Sequence, residues 1–350
     1  MPATPAQPPL PRPVSSLPAF AQDPLDGLRT ALAQQCAMSR PPARWAELCS
    51  SLPQASVTTP EQLRQWLADR FLARELVDES SPQGLITGYY EPLLTGSLVQ
   101  ERPGQVPLRG PPPDLLTIDL EEVEPRLKGM RLRGRLAGQR VVPYFSRKEL
   151  DSGAPAATGP VVAWADNPID AFFLEIQGSG RVKLRDGSMI RVGYADQNGH
   201  PYRAIGKTLV DRGSLTREEV TAPAIRQWLK DNPASADDVM HTNPSLVFFR
   251  RLPPLTDQSL GPPGALGVAL TPLRSIAVDR QQIPLGSLVY LQTTHPVTGQ
   301  PMNRLMVAQD TGGAIRGTKR ADVFWGFGPA AAQAAGLMKA PARMWVLEPR

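Results

Sequence analysis

The residues best suited to chemistry lie near the C-terminus, in the segments LMVAQDTGGAIRG and ADVFWGFG. In the first segment an apolar run ends at Asp310, and Gly312 and Gly313 follow closely. An aspartate at the end of a buried strand can lie at the mouth of a cleft, where apolar neighbours raise the pKa of its carboxyl group above the usual value of about 3.9. The two glycines let a backbone or a sugar ring approach closely. Asp310 is therefore a candidate acid/base catalyst.

The same segment also fits an ordinary turn without catalytic function. In an Asp-Thr-Gly-Gly turn the carboxylate of Asp310 would only accept hydrogen bonds from nearby backbone N–H groups. Because turn aspartates greatly outnumber catalytic ones, the spacing by itself favours the turn. A second acid, Asp322, begins the short aromatic strand predicted in ADVFWGFG.

Composition limits the classes of protein to which the chain can belong. Of its 350 residues 41% are hydrophobic and 20% are charged, which is typical of a globular protein with two domains. The formal net charge of +5 suits a polyanionic partner, but the basic residues are scattered among acids. Nucleic-acid binding ranks lowest among the functions considered, because no recognised binding motif accompanies the charge. We expect no bound metal ion, since the sequence lacks a CxxC motif and His200, His241 and His295 do not have metal-ligand spacing.

The first twenty residues, MPATPAQPPLPRPVSSLPAF, contain seven prolines. They lack the basic start and the apolar core of a signal peptide, so we predict a disordered spacer over residues 1–20. An exported protein would need a leader that this sequence does not show.

The segment from about residue 23 to residue 78 is predicted to be helical. Thr59-Pro60-Glu61-Gln62 forms a capping box with proline at the first helical position. Cys36 and Cys49 lie 13 positions apart in what we predict to be neighbouring helices. A disulfide between them and a pair of buried thiols are both compatible with this spacing.

From Gly84 onward the pattern changes to short β-rich runs. In the middle of the chain these are VVPYF, VVAWA, AFFLEIQGSGRVKL and MIRVGYA, followed by helical patterns in YRAIGKTLVDRG and TREEVTAPAIRQWLKDNP. After Asn243 come the predicted strands SLVFFR, ALGVAL, SIAVD, SLVYLQT, LMVAQD, DVFWGFG and RMWVLEP, with one helix in GPAAAQAAGLM. Short strands broken by Gly and Pro turns indicate a barrel or a sandwich. We therefore expect a mainly β fold with flanking helices.

Several motifs resemble, in the same order, those of the membrane-bound lytic transglycosylase A family. They are TGYYEPLL, EIQGSGRV, GYADQNGHPYRAIGKTL, NPSLVFF, SIAVDRQQIPLGS and LMVAQDTGGAIRG, and the likeness spans roughly residues 84 to 350. The C-terminal part also resembles the "three aspartate" domain, whose acids would be Asp279, Asp310 and Asp322. The resemblance implies a double-psi β-barrel and a second, smaller β domain, with the glycan in a groove between them.

The resemblance leads to a prediction of domain boundaries. We expect residues 21–95 and 243–350 to form the barrel domain together with its N-terminal helices. Residues 96–242 would then be an inserted, smaller β domain. The proline-rich segment 1–20 would precede both.

The resemblance also implies roles for individual residues. Asp310, as the aspartate of the DxGGAI motif, would be the only catalytic carboxylate, and Asp279 and Asp322 would line or brace the same site. The other residues expected to bind the glycan are Tyr89, Tyr90, Gln177, Ser179, Tyr202, Lys207, Gly312 and Gly313. The alternatives are core aromatics for the tyrosine pair, a β-bulge for the EIQGSG segment, and a solvated charge for Lys207.

The implied activity is cleavage of the β-1,4 bond between N-acetylmuramic acid and N-acetylglucosamine in peptidoglycan, without water and without a cofactor. Asp310 would first act as an acid and then as a base, which leaves 1,6-anhydromuramoyl ends. The alternatives are a two-carboxylate glycoside hydrolase and a noncatalytic peptidoglycan-binding module. We expect a monomer in the periplasm, associated with the outer membrane only through a leader that is absent from this sequence.

Overall fold

The chain folds into two compact units. The computed structural model describes residues 9–38, 41, 45–52, 57, 59–78, 83–128, 130, 132–154, 159–255 and 257–350. One unit consists of Met1–Tyr90 and Leu255–Arg350, and the other is the insertion Glu91–Pro254. The insertion is longer at both ends than the predicted range 96–242, because a strand near each of its ends pairs within the insertion's own sheet.

Strands outnumber helices within the described ranges, which confirms the mainly β class with flanking helices. Helices α1 to α9 are Leu28–Cys36, Ala46–Ser51, Pro60–Arg70, Arg147–Asp151, Pro168–Gln177, Ile205–Asp211, Ala222–Asp231, Pro233–Met240 and Pro329–Leu337. Strands β1 to β17 are Arg12–Pro13, Phe71–Glu75, Gly84–Glu91, Leu93–Ser97, Val106–Arg109, Leu116–Ile118, Leu132–Ala137, Arg140–Pro143, Val161–Ala165, Ser179–Lys183, Met189–Gln197, Val247–Leu252, Ser275–Val278, Leu288–Thr294, Pro301–Asp310, Arg320–Phe327 and Lys339–Pro349. None of the helices in the described part of the chain combines the length and the apolar character needed to cross a membrane.

Six strands of the first unit close into a barrel. Their order around the ring is β17-β14-β15-β13-β16-β3, and β3 pairs in turn with β17. Alternation along β15 puts Met306 and Ala308 into a core cluster shared by all six strands, and Leu305 and Val307 into a second cluster with the N-terminal helices. Of the two predicted architectures the barrel is therefore correct, while its double-psi connectivity stays a prediction.

The N-terminal region is more ordered than predicted. Residues 1–8 of the expected spacer lie outside the described residues, but Val14, Leu17 and Phe20 are at most 4% exposed and belong to the cluster beneath the helices. Burial of these three apolar side chains outweighs the disordering effect of the surrounding prolines, so the spacer prediction is wrong from β1 onward. The predicted helical segment also ends early, because β2 follows α3 directly and pairs with β17.

An ion pair and a backbone hydrogen bond attach the N-terminal segment to the rest of the first unit, and a disulfide joins two of its helices. Asp23 and Arg274, whose side chains are both 0% exposed, form an ion pair in which Nη2 of Arg274 lies 2.7 Å from Oδ1 of Asp23. Oδ2 of the same aspartate accepts the backbone N–H of Leu305 at 2.6 Å. Cys36 and Cys49 are joined in a disulfide between α1 and α2, which is the first of the two alternatives considered for these residues.

The insertion contains a six-stranded sheet of order β12-β11-β10-β4-β9-β5 and a separate three-stranded sheet of order β6-β7-β8. The predicted strand AFFLEIQ is wrong, since this segment forms helix α5. Asn167 caps the helix by accepting the N–H groups of Ile169 and Asp170, Pro168 opens it, and Gly178 ends it at a φ of 77°. Start and stop signals at both ends thus outweigh the β-forming composition of the segment.

Candidate active site

Strand β13 brings two aspartates together from opposite sides. Ala277 of β13 is the register partner of Asp310 on the parallel strand β15 and of Asp322 on the antiparallel strand β16. Neighbouring strands lie about 4.8 Å apart, so the Cα atoms of the two aspartates are about 10 Å apart. The residue between them, on β13, is Ala277, which has a small side chain. The pairing of β13 with β15 passes over Gln309, and such an irregularity can redirect the side chain that follows it.

Gln309 anchors the strand that ends at Asp310. Its side chain is 0% exposed and donates from Nε2 to the carbonyl oxygen of Ala31 in α1 at 2.8 Å. Its Oε1 accepts the hydroxyl of Ser275 at 2.5 Å. The residue before Asp310 is thus held by both a helix and a neighbouring strand.

Hydrogen bonds to both oxygens hold the carboxylate of Asp310. Oδ1 accepts the backbone N–H of Ala265 at 2.9 Å and that of Thr311 at 2.8 Å. Oδ2 accepts the hydroxyl of Tyr89 at 2.9 Å. Ala265 lies in the segment ALGVAL, which was predicted to be a strand and is instead a turn, because Gly267 takes a left-handed φ of 87°.

Asp322 accepts a hydrogen bond from a hydroxyl group on β3, the strand that also carries Tyr89. Thr87 of β3 donates to Oδ1 of Asp322 at 2.7 Å, and Nη2 of Arg320 donates to the hydroxyl of Thr87 at 2.8 Å. Burial raises the pKa of Asp322 to about 6; the charge of Asp310 adds to this, while Thr87 and Arg320 act in the opposite direction. Asp322 therefore changes its protonation state near pH 6 and not near pH 4.

The tyrosines of TGYYEPLL have different surroundings. The ring of Tyr89 packs against Phe324 with centroids 5.3 Å apart, and its hydroxyl reaches Asp310. Burial, followed by the charges of Asp310 and Asp322, raises the pKa of Tyr89 well above 10, so its hydroxyl stays protonated. Tyr90 is partly buried and packs against the barrel core.

Asp279 holds the loop that follows Asp310. Its Oδ2 accepts the backbone N–H of Gly317 at 2.9 Å, and the side chain is almost fully buried. A Cβ atom on Gly312 would lie 2.8 Å from Cγ1 of Ile315, whereas a Cβ atom on Gly313 would have no atom within 4 Å. Gly312 thus permits the packing of this loop, and Gly313 leaves its surface open.

The other predicted glycan-binding residues belong to the insertion. Gln177 is the last residue of α5, and Ser179, only 8% exposed, begins β10, so a helix end replaces the β-bulge considered for this segment. Tyr202 and Lys207 line a pocket of about 470 Å³. Nζ of Lys207 lies 2.5 Å from Oδ2 of Asp211, and its side chain is 77% exposed.

The residues that hold Asp310 and Asp322 include Thr87 and Ala265, which were not predicted, and Arg320, which donates to Thr87, was not predicted either. Thr87 and Arg320 each lie two positions before a predicted site residue on the same strand, so alternation along β3 and β16 could have identified them. Ala265 carries no such signal, because its contribution is a backbone N–H group. Among the residues that the structure describes, no group of three or more His, Cys, Asp and Glu side chains is placed to hold a metal ion.

Two family models match the chain. The MltA specific insert domain matches residues 85–250, which include Tyr89, and the 3D domain matches residues 274–348, which include all three aspartates. The curated protein "Membrane-bound lytic murein transglycosylase A" of Escherichia coli K12 is 34% identical over 270 residues, or 75% of this chain and 65% of that relative. The match thus spans just under two thirds of the relative's length.

Solved structures resemble the chain along nearly its whole length. The crystal structure of MltA from Neisseria gonorrhoeae is 33% identical with a TM-score of 0.83, and the alignment covers 97% of this chain and 92% of that one. The crystal structure of E. coli MltA with bound chitohexaose is 27% identical with a TM-score of 0.70 and coverages of 98% and 93%.

Proposed function

Because the chain belongs to the family of membrane-bound lytic murein transglycosylase A, we propose that it is a peptidoglycan lytic transglycosylase with Asp310 as its single acid/base. The observation that carries the proposal is the carboxylate of Asp310 at the end of β15, held by two backbone N–H groups and one hydroxyl. Such a fixed carboxyl group is suited to transfer a proton in both directions.

The proposed reaction consumes no water. Protonated Asp310 donates its proton to the oxygen that links N-acetylmuramic acid to N-acetylglucosamine, and the bond from that oxygen to C1 of the muramoyl residue breaks. The C6 hydroxyl oxygen of the same residue forms a new bond to C1, and its proton passes to the carboxylate of Asp310. The products are a free N-acetylglucosamine hydroxyl and a 1,6-anhydromuramoyl end, and the enzyme returns to its starting protonation state.

The contacts of the other two aspartates support a single-acid mechanism. Asp279 accepts backbone N–H groups of Gln281 and Gly317, which assigns it the role of bracing the loop. Asp322 accepts from Thr87, and its charge would help to keep a proton on Asp310. We assign neither of them a proton-transfer step.

Glycan binding beyond the reacting bond is assigned to residues of the insertion. Gln177 and Ser179 can form hydrogen bonds with sugar hydroxyl or acetamido groups. Tyr202 and Lys207 share a pocket in which the ammonium group can meet a lactyl or peptide carboxylate. We further propose that the protein acts in the bacterial cell envelope, where peptidoglycan lies, and that it does so as a monomer.

The test is the mass of the products that the intact protein releases from purified sacculi. We expect muropeptides with anhydromuramoyl ends, each lighter by one water than its hydrolytic counterpart. Asp310→Asn should abolish release while glycan binding persists, because asparagine is nearly isosteric and can neither donate nor accept the proton.

Two variants serve as matched controls. Asp279→Asn and Asp322→Asn remove one carboxylate each and should retain measurable turnover. If the released products carried reducing ends, and if one of these controls lost turnover, the protein would instead be a two-carboxylate hydrolase. Binding to sacculi without any turnover by the unmodified protein would indicate a noncatalytic module.

A further inference from the structure

Tyr89 lies where it can control how Asp310 exchanges its proton. We propose that Tyr89 is a positioning residue: its hydroxyl fixes Oδ2 of Asp310 as the oxygen that exchanges the proton and stabilises the carboxylate form. The inference rests on the proposed function and assigns Tyr89 a role other than stacking on a sugar ring.

The hydrogen bonds of Asp310 distinguish its two oxygens. Oδ1 accepts two backbone N–H groups, those of Ala265 and Thr311. A backbone N–H can only donate, so a proton on Oδ1 would displace one of these two bonds. The hydroxyl of Tyr89, by contrast, can donate to Oδ2 when Asp310 is ionised and can accept from it when Asp310 is protonated. Oδ2 is therefore the oxygen that carries the proton at the least cost.

Tyr89 itself gains and loses no proton during the cycle. Its pKa lies well above 10 because it is buried next to Asp310, so the hydroxyl keeps its proton at every working pH. The proton leaves Oδ2 for the glycosidic oxygen, and the proton of the C6 hydroxyl returns to Oδ2. Between these two transfers the hydroxyl of Tyr89 donates to the ionised carboxylate and stabilises it.

The charged groups on the neighbouring strands act in opposite directions on Asp310. Asp322 on β16 is a like charge, which favours a protonated Asp310, and Arg320 on the same strand partly offsets it through Thr87. Asp279, directly after β13, accepts the backbone N–H of Gly317 in the loop that follows Asp310. The hydroxyl of Tyr89 on β3 favours the carboxylate. Without the hydroxyl of Tyr89, the charge of Asp322 should therefore favour the protonated form of Asp310 more strongly.

Tyr89→Phe removes the hydroxyl and keeps the ring, and its effect should appear in the pH profile of kcat/KM on glycan strands. Activity needs a protonated Asp310 and falls as pH rises past its titration. Loss of a hydrogen bond to a charged acceptor should move this alkaline limb upward by about one to two pH units. The ¹³C resonance of the Asp310 carboxyl group should show the same upward shift without substrate. A stacking role would leave both measurements unchanged.

Tyr144→Phe is the matched control, because the hydroxyl of Tyr144 donates to Oδ1 of Asp114 at 2.8 Å within the insertion. We expect this variant to keep the unmodified pH profile. Incorporation of 3,5-difluorotyrosine at position 89 provides a second test. Its hydroxyl is a stronger hydrogen-bond donor than that of tyrosine, so the alkaline limb of the pH profile should move to lower pH. If Tyr89→Phe leaves both the alkaline limb of the pH profile and the ¹³C titration of Asp310 unshifted, while Asp310→Asn is inactive, this inference is overturned and the proposed function stands. An active Asp310→Asn would overturn the proposed function.

Discussion

Replacing Asp322 by asparagine should make the protein more stable at neutral and alkaline pH. The carboxyl group of Asp322 has a pKa of about 6 in the folded protein, compared with an ordinary value of 3.8. The folded state therefore holds this proton more tightly than the unfolded state does. The stabilisation that this proton provides is complete below about pH 3.8 and is lost as pH rises through about 6.

The magnitude follows from the difference between the two pKa values. The folded pKa lies about 2 above the ordinary value, and each pKa unit corresponds to about 1.36 kcal/mol. Above pH 6, ionised Asp322 therefore lowers the free energy of unfolding by about 3 kcal/mol. Asparagine carries no charge, and its side-chain oxygen can still accept the hydroxyl of Thr87. Asp322→Asn should therefore gain up to about 3 kcal/mol at pH 8 and almost nothing at pH 4.

Urea unfolding of both proteins at several pH values between 4 and 8 measures this gain. Asp69→Asn, which removes an exposed carboxylate from α3, controls for the general effect of one fewer negative charge. A stability difference that does not change with pH, or a variant less stable than the unmodified protein at pH 8, would refute the reasoning.

Three further variants test other parts of the molecule. Asp23→Ala should lower the free energy of unfolding by about 3 to 5 kcal/mol, because it leaves the buried guanidinium of Arg274 without its main partner. Asp26→Ala, at a carboxylate 62% exposed that also contacts Arg274, should cost less than about 1 kcal/mol, and equal losses in urea unfolding would contradict this account. Gln177→Ala should weaken glycan affinity by about 0.5 to 1.5 kcal/mol in calorimetry with a chito-oligosaccharide, and an unchanged affinity would exclude Gln177 from binding.

Much of the barrel could be predicted from alternation and turn residues. The apolar run that ends at Asp310 and the aromatic run that begins near Asp322 both form strands as expected. The proximity of these two aspartates could not be derived from their spacing, because it depends on which strands pair with β13. Register between distant strands is a tertiary property that no local pattern encodes.

The errors have physical causes that differ from segment to segment. Aromatic and β-branched residues in AFFLEIQ suggested a strand, while Asn167 and Gly178 supplied the helix caps that decide the outcome. Prolines near the N-terminus suggested disorder, yet Val14 and Phe20 find a core formed by residues hundreds of positions away. The contribution of Ala265 to the site is a backbone group, which its residue type does not reveal.

The buried pair of Asp23 and Arg274 determines where the chain can be divided. The range matched by the 3D domain begins at Arg274, so a fragment cut at that boundary would keep the guanidinium and lose its carboxylate. Gln309 would lose the carbonyl oxygen of Ala31 in the same cut. We therefore expect a fragment limited to this C-terminal range to be less stable than the intact chain. In chimaeras of two homologues, the N-terminal segment that contains Asp23 and Ala31 should therefore come from the same parent as β13 and β15.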